Sequence, residues 1–264
     1  MVKDNLEWKL YGLEIDDYSE ELGIFFEHEG YPINRVKPTD NPFLFKNKRS
    51  ISKLIRKSID IKEGERVLAL YGNNRLHHFT YGLCKLADKL NKEYCYIHID
   101  RHHDWWRKKA SDLDCGNFLE KIYKDTNVKK KINNLMFIGN HYYELLDMVP
   151  ESQKDELRSR CLFTSHIYDY KNKQYKPGWL KVVEKMLDNS HEKVYVSMDL
   201  DVLHGDDFLT CYEPGILRSV QLMQILTLIK EKKKIIGADV VGYVGRNPVI
   251  ELQIYKKIVN TLLQ

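Results

Sequence analysis

The sequence predicts an α/β fold with three layers, α/β/α, around a mostly parallel central sheet, as one domain over residues 1–264. Short apolar runs alternate along the chain with segments whose apolar residues recur at helical spacing. This alternation of strands and helices is typical of a parallel sheet that is covered by helices on both faces. A chain of 264 residues with 43% apolar content is large enough for such a core.

Six segments are predicted to be strands, because each is short, apolar and bounded by turn residues. The run at 194–199 is apolar almost throughout, as in strands that are buried on both faces. In chain order, the predicted strands are 8–13, 67–71, 94–99, 135–139, 194–199 and 235–241.

Six further segments have the periodicity or the flanking residues of helices. The predicted helices are 50–59, 79–90, 150–159, 177–187, 220–230 and 250–263. Residues 1–45 are rich in aromatic and acidic residues, and after the first strand we expect irregular chain there. This segment is interpreted as a substrate-side extension or, alternatively, as packing filler.

The composition argues against several classes of function. Lys and Arg total 42 and Asp and Glu total 38, and this small excess is unlike that of a dedicated nucleic-acid binder. No apolar run approaches the roughly 20 residues of a membrane helix. Five scattered cysteines and an N-terminus without an apolar signal region predict a reduced, cytoplasmic protein.

The stretch from Tyr96 to Trp106 carries the densest group of chemically useful side chains. Asp100, His102 and Asp104 follow a predicted strand at alternate positions. Two carboxylates and an imidazole this close repel each other or lose hydration unless a cation compensates them. Oxygen and nitrogen ligands suit Mn, Fe, Co or Zn. The alternative is an acidic loop with solvated histidines.

Other predicted strands end in the same kind of residue. The strand at 67–71 leads to His77 and His78, the strand at 194–199 leads to Asp199 and Asp201, and Asp239 ends another apolar run. Ligands bind beyond the carboxyl ends of parallel strands, so we expect these side chains to converge. Such a set exceeds the needs of one ion, and two ions that share carboxylates activate a water for hydrolysis.

Two of these motifs carry a family resemblance. Asp100–Asp104 resembles the D-x-H-x-D motif of arginases and agmatinases, and Ser197–Asp201 resembles their S-x-D-x-D motif. His77, which lies 23 residues before Asp100, resembles their loop histidine, with His78 as the alternative. The resemblance spans roughly residues 67–245 and implies an arginase/deacetylase-like fold.

The resemblance also implies roles for individual residues. One Mn²⁺ ion would be held by His77, Asp100, Asp104 and Asp199, and a second by His102, Asp100, Asp199 and Asp201. Fe²⁺ or Co²⁺ would suit the same ligands. Asp104 would also orient the attacking water, and His141 would act as an acid–base group near the mouth.

Two departures from the family pattern affect substrate recognition. Gly242 stands where arginases carry the Glu that binds the guanidinium. Glu213 is the candidate replacement, although it is equally well interpreted as a surface acid in a turn before Pro214. Asp239 is another candidate, with a supporting place behind the metal ligands as its alternative. Cys115-Gly116-Asn117 resembles the S-G-N element, so Asn117 is expected to contact substrate, but Leu119 replaces a family histidine.

An arginase-like core with an altered recognition shell resembles the peptide arginases, which convert arginine within peptides to ornithine and release urea. The expected partner is an arginine-containing peptide, with a homo-oligomer as an option. The aromatic pairs at 105–106 and 142–143 would line a groove or simply pack. Alternatives are an agmatinase-like hydrolase of a small guanidino compound, a deacetylase-like amidohydrolase with one zinc ion, and a non-enzymatic module. His98 is predicted to be buried and hydrogen-bonded.

Overall fold

The computed structural model describes residues 6–38, 41–42, 45–105, 112–130, 135–139, 161–162, 164–169 and 171–264. Its strands are β1 (Glu7–Leu13), β2 (Ile33–Val36), β3 (Glu65–Leu70), β4 (Cys95–Ile99), β5 (Leu135–Ile138), β6 (Cys161–Leu162), β7 (Tyr168–Asp169), β8 (Gln174–Tyr175), β9 (Lys193–Asp199) and β10 (Lys234–Val241).

Eight of these strands form the central sheet, in the order β2-β1-β3-β10-β9-β4-β5-β6. Each described pair of neighbours in the sheet is parallel. The strands β7 and β8 form a separate antiparallel pair. The predicted parallel sheet is therefore confirmed.

The helices are α1 (Asp17–His28), α2 (Lys48–Ser58), α3 (Thr80–Ala87), α4 (Phe118–Asp125), α5 (Thr164–Ile167), α6 (Trp179–Asp188), α7 (Ser219–Lys232) and α8 (Pro248–Leu263). Short 3-10 turns lie at Asn74–Phe79, Asn127–Lys130 and Leu200–Val202. The helix predicted at 150–159 lies outside the described residues. In the described part of the chain, no helix has the length and apolar character needed to span a membrane.

Two hydrophobic cores, one on each face of the sheet, produce the three layers. On one face α1, α6, α7 and α8 bury residues such as Leu22, Leu187 and Ile225 against the sheet. On the other face α2, α3 and α4 bury residues such as Ile55 and Phe118. Burial of this apolar surface holds the layers together.

The N-terminal segment is more regular than the sequence predicted. Residues expected to be irregular form α1 and β2, and β1 lies inside the central sheet between β2 and β3. Asp16 begins α1 with a capping box, because its side chain accepts a hydrogen bond from the backbone N–H of Ser19 and the Ser19 side chain accepts one from Asp16. The strands β1 and β2 of this segment therefore belong to the central sheet. A role for the segment on the substrate side stays a prediction.

Candidate metal centre

The candidate site lies at the carboxyl ends of β3, β10, β9 and β4, four neighbouring strands in the middle of the sheet. β4 ends directly before Asp100, and Asp199 is the last residue of β9. His77 lies in the 3-10 turn that follows β3. Because the strands are parallel, their carboxyl ends meet at one edge of the sheet and bring these residues together.

His77 lies at the centre of a first group of side chains. Its Nδ1 is 3.1 Å from Oδ2 of Asp104, 3.2 Å from Oδ2 of Asp100 and 3.5 Å from Oδ2 of Asp199. Burial opposes a charge on this ring, but the contact with Asp104 and its negative charge outweigh burial and raise the pKa of His77. Three carboxylates around one buried ring nitrogen favour a positive charge at this point.

His102 and Asp201 form a second group that shares Asp100 with the first. Nδ1 of His102 lies 2.8 Å from Oδ2 of Asp201 and 3.7 Å from Oδ1 of Asp100. One ligand-type atom from each of these three residues lies within 4.8 Å of the other two, and the same holds for His77, His98 and Asp100. The structure thus contains two adjoining clusters that have one carboxylate in common.

The carboxylates of the two clusters lie too close together to remain charged without a cation. Burial raises the pKa of Asp100 well above its usual range, and the charges of Asp201, Asp104 and Asp199 add to this effect. Burial, followed by the charge of Asp201, also raises the pKa of Asp199 well above its usual range. Burial also raises the pKa of Asp104, against the opposing effect of His77. A bound proton or a bound metal ion is needed to offset this density of negative charge.

Three buried atoms of the site fit a metal better than they fit a hydrogen-bond network. Nδ1 of His77, Nε2 of His98 and Oδ2 of Asp100 have no hydrogen-bond partner, although carboxylate or imidazole groups lie close to them. Buried polar atoms are normally paired, so such a set needs an explanation. Imidazole nitrogens and carboxylate oxygens are the ligands that divalent Mn, Fe, Co and Zn accept.

Asp104 is presented to the site by an unusual backbone conformation. Its φ angle is +48°, in the left-handed region that non-glycine residues rarely adopt, although Asp and Asn do so more often than most. The turn aims its carboxylate at His77 and into a cavity of about 210 Å³. The described residues that line this cavity are Asn74, His102, Asp104, Cys115, Gly116, Asp199 and Tyr212.

One known protein family covers most of the chain. The model of the arginase family matches residues 9–247. The chain belongs to the arginase family. It is therefore a ureohydrolase of the arginase, agmatinase and formimidoylglutamase type, which is a metal-dependent hydrolase of C–N bonds in linear amidines.

Solved structures share the fold at low sequence identity. An arginase from Bacillus cereus is 18% identical, with a TM-score of 0.69 over 97% of this chain and 98% of that one. A hypothetical agmatinase from Burkholderia thailandensis is 19% identical, with a TM-score of 0.68 over 98% of this chain and 85% of that one. A formimidoylglutamase from Bacillus subtilis is 13% identical, with a TM-score of 0.67 over 100% of this chain and 88% of that one. No curated protein sequence matches the chain.

Of the two loop histidines in this arginase-family chain, only His77 lies in the cluster. The Nε2 of His78 lies 3.3 Å from the carbonyl oxygen of Phe45. Burial lowers the pKa of His78 to about 4, and the hydrogen bond to Phe45 only partly offsets this effect. The structure thus favours the first of the two alternatives that the sequence left open.

His98 is the site residue that sequence reasoning missed. It is buried, as predicted, and its Nδ1 lies 3.4 Å from the hydroxyl of Tyr96. Its Nε2, however, lies 3.3 Å from Oδ2 of Asp100 and belongs to the first cluster. The signal was the strand periodicity, because residues two apart on a strand share one face and Asp100 follows His98 by two.

Gly242 is fixed by its backbone and by close neighbours. Its φ angle is +121°, where a side chain is strained. A Cβ at this position would lie 3.1 Å from the backbone nitrogen of Leu200 and 3.3 Å from Oδ1 of Asp199. The family Glu cannot simply be restored here, so an acid that binds a guanidinium has to come from another position.

Asn117 is close to the site, but its side-chain amide is used by its own loop. It is 2% exposed, its Oδ1 accepts from the backbone N–H of Asp114, and its Nδ2 donates to the carbonyl of Asp112. These bonds shape the loop that carries Cys115 and Gly116 into the cavity wall. A contact between Asn117 and substrate stays a prediction.

Glu213 lies at the surface, where its side chain is 81% exposed. Its Oε2 accepts a hydrogen bond of 2.7 Å from Nη2 of Arg101, and its carbonyl accepts one of 3.1 Å from Nη1. Glu213 therefore already binds one guanidinium, that of a residue next to Asp100. Its role towards substrate remains a prediction.

The remaining predicted residues divide into buried and undescribed ones. Trp105 is 2% exposed and packs on Tyr123 with 5.3 Å between ring centroids, so it belongs to the core rather than to a groove. His141, Trp106 and residues 142–143 lie outside the described residues. The acid–base role of His141 stays a prediction.

Proposed function

We propose that the protein is a dimanganese hydrolase that cleaves the guanidinium group of arginine side chains in a peptide and gives ornithine and urea. The observation that carries the metal-dependent part is the pair of adjoining His/Asp clusters that share Asp100. Fe²⁺ and Co²⁺ accept the same ligands and remain alternatives to Mn²⁺.

The proposed ligand sets follow the family motifs. His77, Asp100, Asp104 and Asp199 would hold one ion, as their contacts around Nδ1 of His77 suggest. The other ion would be held by His102, Asp100, Asp199 and Asp201, so the carboxylates of Asp100 and Asp199 would be shared by both ions. The orphaned atoms of His77 and Asp100 support this assignment, because a cation would satisfy both.

When bound, the metal pair supplies a water that is activated as a nucleophile near neutral pH. Asp104 accepts a hydrogen bond from that water and aims it at the guanidinium carbon. The water oxygen bonds to this carbon, the bond between the carbon and the side-chain nitrogen of the substrate breaks, and both protons of the water end on the departing nitrogen, which leaves as an ammonium group. The products are an ornithine side chain and urea.

The polar groups in and near the cavity wall support an arginine side chain rather than a free amino acid as substrate. The described lining of the cavity contains no Lys or Arg that would pair with a free α-carboxylate. The amide of Asn117, which the family pattern assigns to the free amino acid, is bonded within its own loop. An arginine inside a peptide has no free α-carboxylate and no free α-amino group, so it needs no partner for either.

We expect the Mn²⁺-loaded chain to release urea from an arginine-containing peptide at a kcat/KM at least about tenfold above that for free arginine or agmatine, a difference of roughly 1.4 kcal/mol. Urea assays on the three substrates, with mass spectrometry of the peptide, measure this. A peptide in which lysine replaces arginine is the matched control. A preference for agmatine would mean that the substrate is a small guanidino compound and not a peptide. If none of the three substrates released urea, the proposed reaction would be overturned.

Replacement of Glu213 by Gln tests the acid that we propose for guanidinium binding. If Glu213 pairs with substrate, KM should rise about 2- to 5-fold with kcat unchanged, the size expected for an exposed ion pair. Gln keeps a carbonyl oxygen for Arg101, so the existing hydrogen bond survives the change. Steady-state kinetics at several salt concentrations measure the effect. An unchanged KM would mean that Glu213 serves Arg101 alone.

We also propose a cytoplasmic location, which the scattered cysteines support. A homo-oligomer stays a prediction that size-exclusion chromatography with light scattering tests.

A further inference from the structure

A fully buried carboxylate lies beneath the candidate metal centre and takes no part in either cluster. Asp239 of β10 accepts hydrogen bonds on Oδ1 from the hydroxyls of Ser197, Thr80 and Tyr71, at 2.9, 2.9 and 3.1 Å. Its Oδ2 accepts a fourth, of 2.7 Å, from Tyr195. Burial raises the pKa of Asp239, while His77 and these hydroxyls oppose the rise.

The register of the sheet links this carboxylate to His77. Asp239 on β10 pairs with Ser197 on β9, and Ser197 pairs with His98 on β4, so the three lie side by side. The Oγ of Ser197 then reaches Nε2 of His77 at 2.9 Å. A continuous chain of contacts therefore runs from Asp239 through Ser197 to the ring that faces the acidic cluster.

The direction of each hydrogen bond follows from a count of protons. Ser197 and Tyr195 each reach one oxygen of Asp239, and Tyr71 and Thr80, whose hydroxyls lie 2.7 Å apart, contribute at least one further donor to Oδ1. Both oxygens are therefore occupied by donors, which favours the acceptor-only carboxylate over a carboxyl proton. Ser197 has a single hydroxyl proton and gives it to Asp239. Its oxygen can then serve His77 only as an acceptor, so Nε2 of His77 must carry a proton.

We propose that Ser197, held by Asp239, is a positioning residue that fixes His77 in the tautomer with the proton on Nε2. In the neutral ring, Nδ1 then carries a lone pair that points at Asp100, Asp104 and Asp199. Only this tautomer can donate Nδ1 to a metal ion, and a hydrogen bond at the opposite nitrogen is the usual way in which proteins select it.

The inference rests on the metal-binding part of the proposed function and on no choice of substrate. Without the Ser197 oxygen, the Nε2–H of His77 would be a buried donor without an acceptor, which is unfavourable. The ring would then gain by carrying its proton on Nδ1, opposite Oδ2 of Asp104 at 3.1 Å. A proton on Nδ1 blocks the lone pair that a metal needs.

Ser197→Ala is the decisive variant, because it removes the hydroxyl and leaves the rest of the side chain. In the metal-free full chain, at a pH high enough to keep the ring neutral, we expect the ¹⁵N spectrum of labelled His77 to move from the Nε2–H towards the Nδ1–H pattern. We expect the Mn²⁺ affinity, measured by calorimetry, to fall roughly 10- to 100-fold. Loss of the resonance in His77→Gln assigns it.

Thr80→Val is the matched control, since it removes another hydroxyl from the same oxygen of Asp239 but keeps Ser197. It should retain the parent tautomer and stay within about threefold of the parent affinity, well short of the loss expected for a broken contact to a ligand. The inference is overturned if Ser197→Ala also retains both, or if Thr80→Val loses both. Absence of urea release by the parent chain would overturn the reaction instead, because the tautomer is read without substrate.

Discussion

Asp104→Asn is expected to lower kcat for urea release by about three orders of magnitude, within the 10²- to 10⁴-fold range that a positioned acid or base contributes. The amide keeps the size of the side chain but is an uncharged and weaker hydrogen-bond acceptor for the attacking water. It also removes one negative charge from the contacts around His77. The measurement is single-turnover urea release at saturating Mn²⁺, so that a weaker metal affinity does not mimic a slower reaction.

Asn is the appropriate substitution because of the backbone at this position. With φ at +48°, Asp104 adopts a left-handed conformation that Asn tolerates and Ala does not. The Asn variant should therefore stay folded, with an unchanged circular dichroism spectrum. Asp188→Asn, which removes a surface acid paired with Lys232, is the control and should keep parent activity. Full activity of Asp104→Asn would remove this residue from the mechanism.

The location of the site could be predicted because strand exits are a local property of the sequence. The runs that became β3, β4 and β9 are short and apolar, and each is followed by ligand-type residues. Parallel pairing then placed these residues at one edge, whatever the exact strand order. The choice between His77 and His78 could not be made in this way, since it depends on how a 3-10 turn directs two adjacent side chains.

The contributions of α1 and His98 were harder to predict, for different physical reasons. The helix α1 was marked only by its cap, in which Asp16 and Ser19 satisfy each other's backbone N–H groups, and aromatic residues obscured its apolar spacing. A histidine within a strand is usually a satisfied core residue, and its spacing of two from Asp100 places both on one face without showing that His77, from another segment, joins them. Contacts of this kind follow from tertiary packing, which propensity does not encode.

Removal of metal is expected to destabilise the chain, and by more as the pH rises. At free Mn²⁺ about hundredfold above its Kd, one site adds about 2.7 kcal/mol to the free energy of unfolding. For a chain of this size, that corresponds to a rise in Tm of roughly 5–10 °C. Scanning calorimetry with Mn²⁺ and with a chelator measures the difference, and Asp201→Asn, which lacks one proposed ligand, should show a smaller one.

The sign of the pH dependence follows from the acids of the cluster. In the metal-free chain burial raises the pKa of Asp100 and of Asp199, so their protonated forms are favoured in the folded state. Such groups give their full contribution below the pKa of the unfolded chain, about 4, and lose it as the pH rises through the folded value. A bound cation reverses this, because it stabilises the ionised carboxylates and needs them deprotonated.

The difference in Tm between the loaded and the chelated chain should therefore widen from pH 5 to pH 8. Acids outside the cluster contribute equally to both forms, so their effects cancel in this difference. A constant difference over this range would show that Asp100 and Asp199 are not ligands.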